Sequence, residues 1–121
     1  MTKVIPVLRV FDYAKAIEFY IDWLGFKIDW EERPDDGPFQ VRISLNEIIL
    51  HLIEYRDAGS HGAWVIISEF KNMVPYRKII SMKNSPFKRP DLRKVPREPN
   101  AISMTVADPF FNRIEFRETM R

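Results

Sequence analysis

Two histidines and no cysteine limit the chemistry that this chain of 121 residues can perform. Without a thiol there is no disulfide, no thiolate metal site and no cysteine nucleophile. Any metal site must therefore use the imidazoles of His51 and His61 or carboxylates. His61 lies in a Gly-Ser-His-Gly segment, which is typical of an exposed loop. The sequence contains no glycine-rich phosphate loop, no nucleophile elbow and no paired-histidine zinc motif.

Two further positions allow both a chemical and a structural interpretation. His51 alternates with isoleucines along an apolar segment, so it is either an acid–base or metal-binding group or a hydrogen-bonded core histidine. Glu115 alternates with Arg113 and Arg117, and these neighbouring cations explain it without a metal. The structural interpretation is favoured for both residues.

Aromatic and acidic residues form another candidate site. Flat rings hold planar ligands at low entropic cost, and carboxylates attract cations. The aromatic candidates are Trp30, Phe39 and Trp64, and the acidic candidates are Asp29, Glu31, Glu32, Asp35 and Asp36. Aromatic residues on strands are also common in cores, and acidic loops promote solubility. Both interpretations stay open for Trp64, while solubility is favoured for the acidic loop.

The strands and helices that carry these residues are predicted in the same order in both halves of the chain. In the first half, residues 4–10, 27–31, 39–45 and 48–54 have strand patterns, and an amphipathic helix runs from its N-cap Asp12 to Gly25. In the second half, strands are predicted at residues 63–69, 102–107 and 113–118, with a helix at residues 73–82. One short strand is expected in the proline-rich segment 85–100.

Both halves therefore predict a β-α-β-β-β module, which indicates an α+β fold with an internal repeat. We expect a single domain over residues 1–121, with module 1 at about residues 1–55 and module 2 at about residues 62–121.

Three segments resemble a known family. They are I-P-V-L-R-V-F-D with A-I-E-F-Y-x-x-x-L-G-F at residues 5–26, I-x-L-H-L-x-E at residues 48–54, and D-P-F-x-N-R-I-x-F at residues 108–116. In this order they resemble the glyoxalase/bleomycin resistance protein/dioxygenase superfamily, also called the vicinal oxygen chelate fold. The resemblance implies cupped mixed sheets with one main helix in each module.

Enzymes of that family place metal ligands on the first and last strands of each module. The resemblance puts these positions at Ile5, His51, Ala63 and Glu115, of which only His51 and Glu115 can bind a metal. A catalytic metal needs about three protein ligands and one open position. The resemblance therefore implies the metal-independent, bleomycin-resistance-like branch, with no catalytic residue and no cofactor.

In that branch a homodimer sequesters its ligand in interface clefts. The implied function is binding of a bleomycin-like or other planar or cationic antibiotic without catalysis. The family's A-W-V at residues 63–65 makes Trp64 the best single binding candidate, with Trp30, Phe39, Asp35, Asp36, His51 and Glu115 around it. The sequence departs from the family pattern at two places. An R-E-P-N run at residues 97–100 stands where the family has P-W-G. Phe111 stands where the family has glycine, so we expect a different turn at Phe111.

Two alternatives stay open. One is a divalent-metal-dependent lyase, isomerase or dioxygenase that uses His51 and Glu115. The other is a nucleic-acid or protein adaptor, because residues 71–97 carry nine basic residues against the single Asp91. This basic stretch lacks the aromatic motifs of RNA-binding proteins, which disfavours nucleic acid. Short apolar runs and an N-terminus without a signal-peptide pattern lead us to expect a cytoplasmic protein with no membrane partner.

Overall fold

The computed structural model describes residues 1–55 and 62–120. Two four-stranded mixed sheets, each accompanied by a helix, confirm the predicted α+β fold of two β-α-β-β-β modules. The elements are β1 (Val7–Val10), α1 (Tyr13–Ala16) with a π-helical continuation (Ile17–Trp23), β2 (Lys27–Glu32), β3 (Gln40–Leu45), β4 (Ile48–Glu54), β5 (Trp64–Ile67), α2 (Met73–Met82), β6 (Arg93–Val95), β7 (Glu98–Ala107) and β8 (Arg113–Thr119). Within the described residues, no helix is long and apolar enough to span a membrane.

The chain divides into two compact units. The first comprises Met1–Ala63 with Asp108–Asn112, and the second comprises Trp64–Ala107 with Arg113–Arg121. The sheet of the first unit has the strand order β1-β4-β3-β2, and that of the second has the order β5-β8-β7-β6. In each sheet the first strand pairs in parallel with the last, and the remaining pairs are antiparallel. The turn between β7 and β8 therefore belongs to the first unit.

One face of the first sheet forms a core. Along β3 the core side chains alternate with Gln40 and Arg42, whereas along β4 they alternate with His51 and two isoleucines. Buried sheet residues are Leu8, Val10, Val41, Ile43, Leu50 and Leu52, and the buried helix residues are Ala16, Phe19, Tyr20, Trp23 and Leu24.

The first helix begins and ends as predicted, but its interior differs. The Asp12 side chain accepts a hydrogen bond from the backbone N–H of Lys15 at 3.0 Å, and Gly25 ends the helix with φ +86°. Between them the backbone widens, since the N–H of Leu24 bonds to the carbonyl of Phe19, five residues earlier. With this widening, Phe19 and Trp23 are buried, whereas Tyr13 and Ile17 are half-buried.

A carboxylate from another element caps the second helix. Asn72 precedes Met73 with φ +62° and its side chain does not cap the helix. The backbone N–H groups of Asn72 and Met73 instead donate to the carboxylate of Glu118, each at 3.0 Å. This bond ties α2 to β8, where Phe116 packs against Phe70 with 4.8 Å between ring centres.

In the second sheet, the proline-rich segment contributes more strand than predicted. The expected short strand is β6, and β7 begins at Glu98, four residues before the predicted start. The two strands meet at Arg97, whose φ of +68° closes a two-residue turn. Pro99 fits this strand because it lies near the strand's start.

A buried carboxylate organises the turn that joins β7 and β8. Asp108 accepts a hydrogen bond from the Tyr20 hydroxyl at 2.6 Å, and further bonds from the backbone N–H groups of Phe110 and Asn112. The side-chain amide of Asn112 also donates to Asp108 and to the carbonyl of Arg9. Burial raises the pKa of Asp108, and these hydrogen bonds oppose that rise. The Asp108 cluster therefore ties α1 and β1 to a distant turn.

Phe111 keeps a backbone conformation that favours glycine. Its φ is +70°, in the left-handed region that glycine adopts without strain. The different turn that we expected from the replacement of glycine is therefore wrong for the backbone of this residue. The ring of Phe111 is 74% exposed and contributes little packing. Gly62 approaches the Phe111 carbonyl so closely that a Cβ atom would overlap it.

Replacing Tyr20 with phenylalanine removes one donor from the buried Asp108 carboxylate. We expect Tyr20→Phe to lower the free energy of unfolding by about 1–3 kcal/mol, measured by urea denaturation. Tyr13→Phe is the matched control, since it removes a hydroxyl that bonds to the exposed Glu31. Equal losses in the two variants would contradict a special role for the Asp108 cluster.

Phe111→Gly tests the cost of the left-handed backbone. Because glycine adopts positive φ without strain, we expect the variant to gain up to about 1 kcal/mol in unfolding free energy. Phe111→Ala removes the same ring but keeps a Cβ atom, so it should gain less. A lower unfolding free energy for Phe111→Gly than for Phe111→Ala, measured by calorimetry, would contradict this explanation.

Candidate functional site

Polar side chains form a row across the first sheet on the face opposite the core. Trp30 on β2 pairs with Arg42 on β3, and Arg42 pairs with His51 on β4. A register shift between Ile28 and Trp30 accompanies this arrangement, which brings the Trp30 side chain onto the His51 face. We call Trp30, Gln40, Arg42 and His51 the His51 cluster.

Both ring nitrogens of His51 have protein partners. The guanidinium of Arg42 can only donate, so Nδ1 of His51 accepts its hydrogen bond at 3.3 Å. In the neutral ring Nε2 then carries the proton and donates to the Gln40 side-chain carbonyl at 2.9 Å. Burial lowers the pKa of His51, and the positive charge of Arg42 lowers it further. The ring is therefore held neutral, and its lone pair is already used.

Trp30 offers a partly open aromatic surface beside this histidine. Its side chain is 44% exposed, and its ring centre lies 5.5 Å from that of His51. The guanidinium carbon of Arg42 lies 5.3 Å from the Trp30 ring centre. The two neighbours fix the indole in place and leave part of it accessible to a ligand.

The second unit carries a comparable group, the Glu115 cluster of Trp64, Arg113, Glu115 and Arg117. Trp64 begins β5 and pairs with Arg113 on β8, whose guanidinium carbon lies 5.1 Å from the indole ring centre. Trp64 is 56% exposed, whereas Glu115 is buried at 7% exposed. An accessible indole again lies next to a buried polar side chain.

Both carboxylate oxygens of Glu115 are occupied. Oε1 accepts a hydrogen bond from the Trp64 indole N–H at 3.1 Å, and Oε2 accepts one from Arg117 at 2.5 Å. Arg117 in turn pairs with Glu98 at 3.0 Å. Of the two neighbouring cations, Arg117 therefore bonds to Glu115, whereas Arg113 contacts Trp64 instead.

Strand register shows which positions of the two sheets are equivalent. In the first sheet His51 pairs with Val7, and in the second sheet Glu115 pairs with Ile66. His51 and Glu115 are therefore equivalent, and the position equivalent to Ile5 is Trp64 rather than the expected Ala63. Over residues 1–55 and 62–120, no group of three or more histidine, aspartate or glutamate side chains is arranged to hold a metal.

Phe39 and Asp35 lie elsewhere in the first unit. Phe39 alternates with Gln40 and is buried at 7% exposed on the core face, so it is not the open stacking surface that we expected. It lines a cleft of about 850 Å³ together with Asp35, and the other lining residues are Tyr13, Arg33, Pro34, Gly37, Pro38, Glu54 and Tyr55. We call this the Tyr13 cleft.

The remaining predicted residues contribute less to these groups. Asp36 is an exposed loop residue outside the lining of the Tyr13 cleft. Asp29 accepts a hydrogen bond from Ser44 at 3.0 Å, and Glu31 accepts one from Tyr13. Glu32 pairs with Gln40 at the end of β2. His61 lies outside the described residues.

The hydrogen-bond partners of His51 were not predicted from the sequence. Gln40 and Arg42 alternate with buried Val41 and Ile43, and that alternation marks a polar sheet face. The pattern of one strand does not show which other strands pair with it, so the neighbours of β3 could not be predicted. The alternation along β3 could have identified Gln40 and Arg42 as residues of a polar sheet face, but it could not have shown that they contact His51.

Comparison with known proteins identifies relatives of the fold. A family model described as a glyoxalase superfamily protein matches residues 1–121. A glyoxalase-related enzyme from Clostridium phytofermentans is 16% identical, with a TM-score of 0.71 and coverage of 99% of this chain and 96% of that chain. No curated protein sequence matches the chain.

Two further solved structures are similar. A bleomycin-binding protein complexed with bleomycin is 14% identical, with a TM-score of 0.65 and coverage of 98% of this chain and 99% of that chain. A glyoxalase/bleomycin resistance protein from a Streptomyces species is 13% identical, with a TM-score of 0.63 and coverage of 94% and 97%, respectively. At these identities the similarity establishes the shared fold.

The hydrogen bonds of His51 predict its titration. Nuclear magnetic resonance should give a pKa below the ordinary value of about 6.5, and Arg42→Gln should raise it because one positive charge is removed. The folded state prefers the neutral ring, so this contribution to stability is present above about pH 6.5 and is lost as pH falls towards the folded pKa. Arg113→Gln, which changes the other cluster, is the control. A His51 pKa above the ordinary value would contradict the arrangement.

Proposed function

The chain belongs to the glyoxalase superfamily, and we propose that it binds a planar small molecule of the bleomycin type and sequesters it without catalysis. The observation that carries this proposal is the pairing, in both sheets, of a half-exposed tryptophan with a buried polar residue that already has its hydrogen bonds. The similar bleomycin-binding protein supports the ligand class.

The tryptophans suit stacking because they are both accessible and fixed. Trp30 is restrained by His51 and Arg42, and Trp64 is restrained by Glu115 and Arg113. A ligand that stacks on a fixed indole does not have to immobilise it, so less side-chain entropy is lost on binding. Preorganised aromatic surfaces of this kind favour binding of flat heteroaromatic rings.

The charges beside the indoles constrain the ligand. Arg42 and Arg113 lie against the two rings and can donate hydrogen bonds only. A ligand stacked there should present carbonyl, carboxylate or ring-nitrogen acceptors to the arginines. If it also carries a positive charge, as a bleomycin-like compound would, that charge should point away from Arg42 and Arg113.

The same arrangement disfavours catalysis in this proposal. A general base needs a free lone pair, and a metal ligand needs one that no donor occupies. The Nδ1 lone pair of His51 is bonded to Arg42, and both oxygens of Glu115 are bonded to Trp64 and Arg117. Because neutral imidazole has one lone pair, His51 would first have to break its contact with Arg42, whereas Glu115 would have to share oxygens that already accept hydrogen bonds.

We also propose that the chain forms a homodimer. The edge strands of the two sheets, β1 and β5, expose apolar side chains, with Val7 58%, Trp64 56% and Ile66 45% exposed. Apolar residues on sheet edges favour coverage by another chain. Light scattering during size-exclusion chromatography should give twice the chain mass of 14.4 kDa at micromolar concentration. A single-chain mass would contradict the proposed interface.

A fluorescence titration of the purified protein with bleomycin tests sequestration. We expect saturable quenching, because Trp30 and Trp64 are accessible while Trp23 is buried at 3% exposed and serves as a constant background. Trp30→Ala and Trp64→Ala should each weaken binding about tenfold.

Met82→Ala is the matched control, because it removes an exposed apolar side chain from α2, outside both clusters. It should leave the affinity unchanged. Binding that neither tryptophan variant weakens would contradict the proposed site, and a drug consumed chemically during the titration would contradict simple sequestration.

A further inference from the structure

The Tyr13 cleft lies on the opposite face of the first sheet from Trp30 and His51. Its aromatic residues are Tyr13, Phe39 and Tyr55, and its carboxylates are Asp35 and Glu54. The cavity of about 850 Å³ is within the size range of small-molecule sites. Aromatic rings with nearby carboxylates are the combination that binds organic cations.

A cation of the chain itself already occupies part of this cleft. The guanidinium carbon of Arg33 lies 3.7 Å from the ring centre of Tyr13, and its Nε lies 4.0 Å from a carboxylate oxygen of Glu31. The same carboxylate accepts the hydrogen bond of the Tyr13 hydroxyl at 2.8 Å. Tyr13 and Glu31 therefore act together on one planar cation.

The aromatic surface under Arg33 is held in place independently. The ring of Phe39 packs edge-on against Tyr13 with 5.4 Å between ring centres, and Phe39 is buried. The backbone N–H of Phe39 donates to Glu54 at 3.3 Å, which fixes the wall of the cleft. Removing Arg33 from Tyr13 would leave a preformed site for a planar cation.

We propose that the Tyr13 cleft is a second binding site, specific for small molecules with a guanidinium or amidinium group, and that Arg33 is its tethered competitor. The Arg33 side chain is 56% exposed, and contacts at such exposure are weak. A ligand with the same planar cation and an apolar body displaces it, since the body gains contacts with Phe39 and Tyr55. Asp35 then faces the ligand's positive charge.

This site is separate from the proposed stacking site. Arginines lie beside Trp30 and Trp64, and Arg9 likewise lies 4.6 Å from the ring centre of Tyr55 in the cleft. The cleft differs in that its lining also includes the carboxylates of Asp35 and Glu54, which attract a planar cation. A guanidinium compound should therefore choose the Tyr13 cleft over either indole. The two proposals can fail independently.

Calorimetric titration with phenylguanidine and benzamidine tests the proposal. Arg33→Gln removes the competitor and should tighten binding about tenfold. Lys27→Gln is the matched control, because it removes the same charge from β2 at a position outside the cleft, and it should change affinity less than about twofold. Trp30→Ala should leave binding unchanged.

Two further variants and an uncharged analogue define the outcome. Tyr13→Leu should abolish binding, and Asp35→Asn, which leaves the core intact, should weaken it several-fold. Benzamide should not bind. Weaker or unchanged binding in Arg33→Gln, equal binding of benzamide, or loss of binding in Trp30→Ala would each overturn the proposal.

Discussion

A buried polar side chain must find hydrogen-bond partners, and this requirement determines what both sheets can offer a ligand. His51 and Glu115 hold equivalent positions in the two sheets, and each has its polar atoms bonded to protein neighbours. Arg42, which bonds His51, also lies against the indole of Trp30, whereas Glu115 is bonded by Arg117 and by the Trp64 indole itself. The same contacts thus hold the two candidate metal ligands and restrain the indoles beside them.

Local patterns predicted the elements because they depend on near neighbours. Asp12 as a cap, Gly25 as a stop and the helix from Met73 to Met82 follow from capping and periodicity, and the structure confirms them. The wider turn at Ile17–Trp23 was not predictable, since no proline or glycine marks it. The bond between Tyr20 and Asp108 joins residues 88 positions apart, and it became visible only with the fold.

The candidate site was predictable in its residue types but not in its grouping. Trp30 and Phe39 were expected to share one surface, yet the register places them on opposite faces of the first sheet. A shift of one residue exchanges the two faces of a strand, so a sequence pattern alone cannot assign them. For the same reason, the position of module 2 that is equivalent to Ile5 was expected at Ala63, whereas the strand register places it at Trp64. Because a shared scaffold hosts many functions, such chain-specific placements carry the functional argument.

We propose that His51 and Glu115, each bonded to protein partners, do not bind a catalytic metal. Calorimetric titration of chelator-treated protein with Zn²⁺, Ni²⁺, Mn²⁺ and Fe²⁺ tests it most directly, because a functional site binds one metal per chain with measurable heat. We expect no saturable metal binding, and the same titration curve for the native protein and for His51→Ala. Saturable binding at one metal per chain that is lost in both His51→Ala and Glu115→Ala would contradict the account and favour a metal-dependent enzyme.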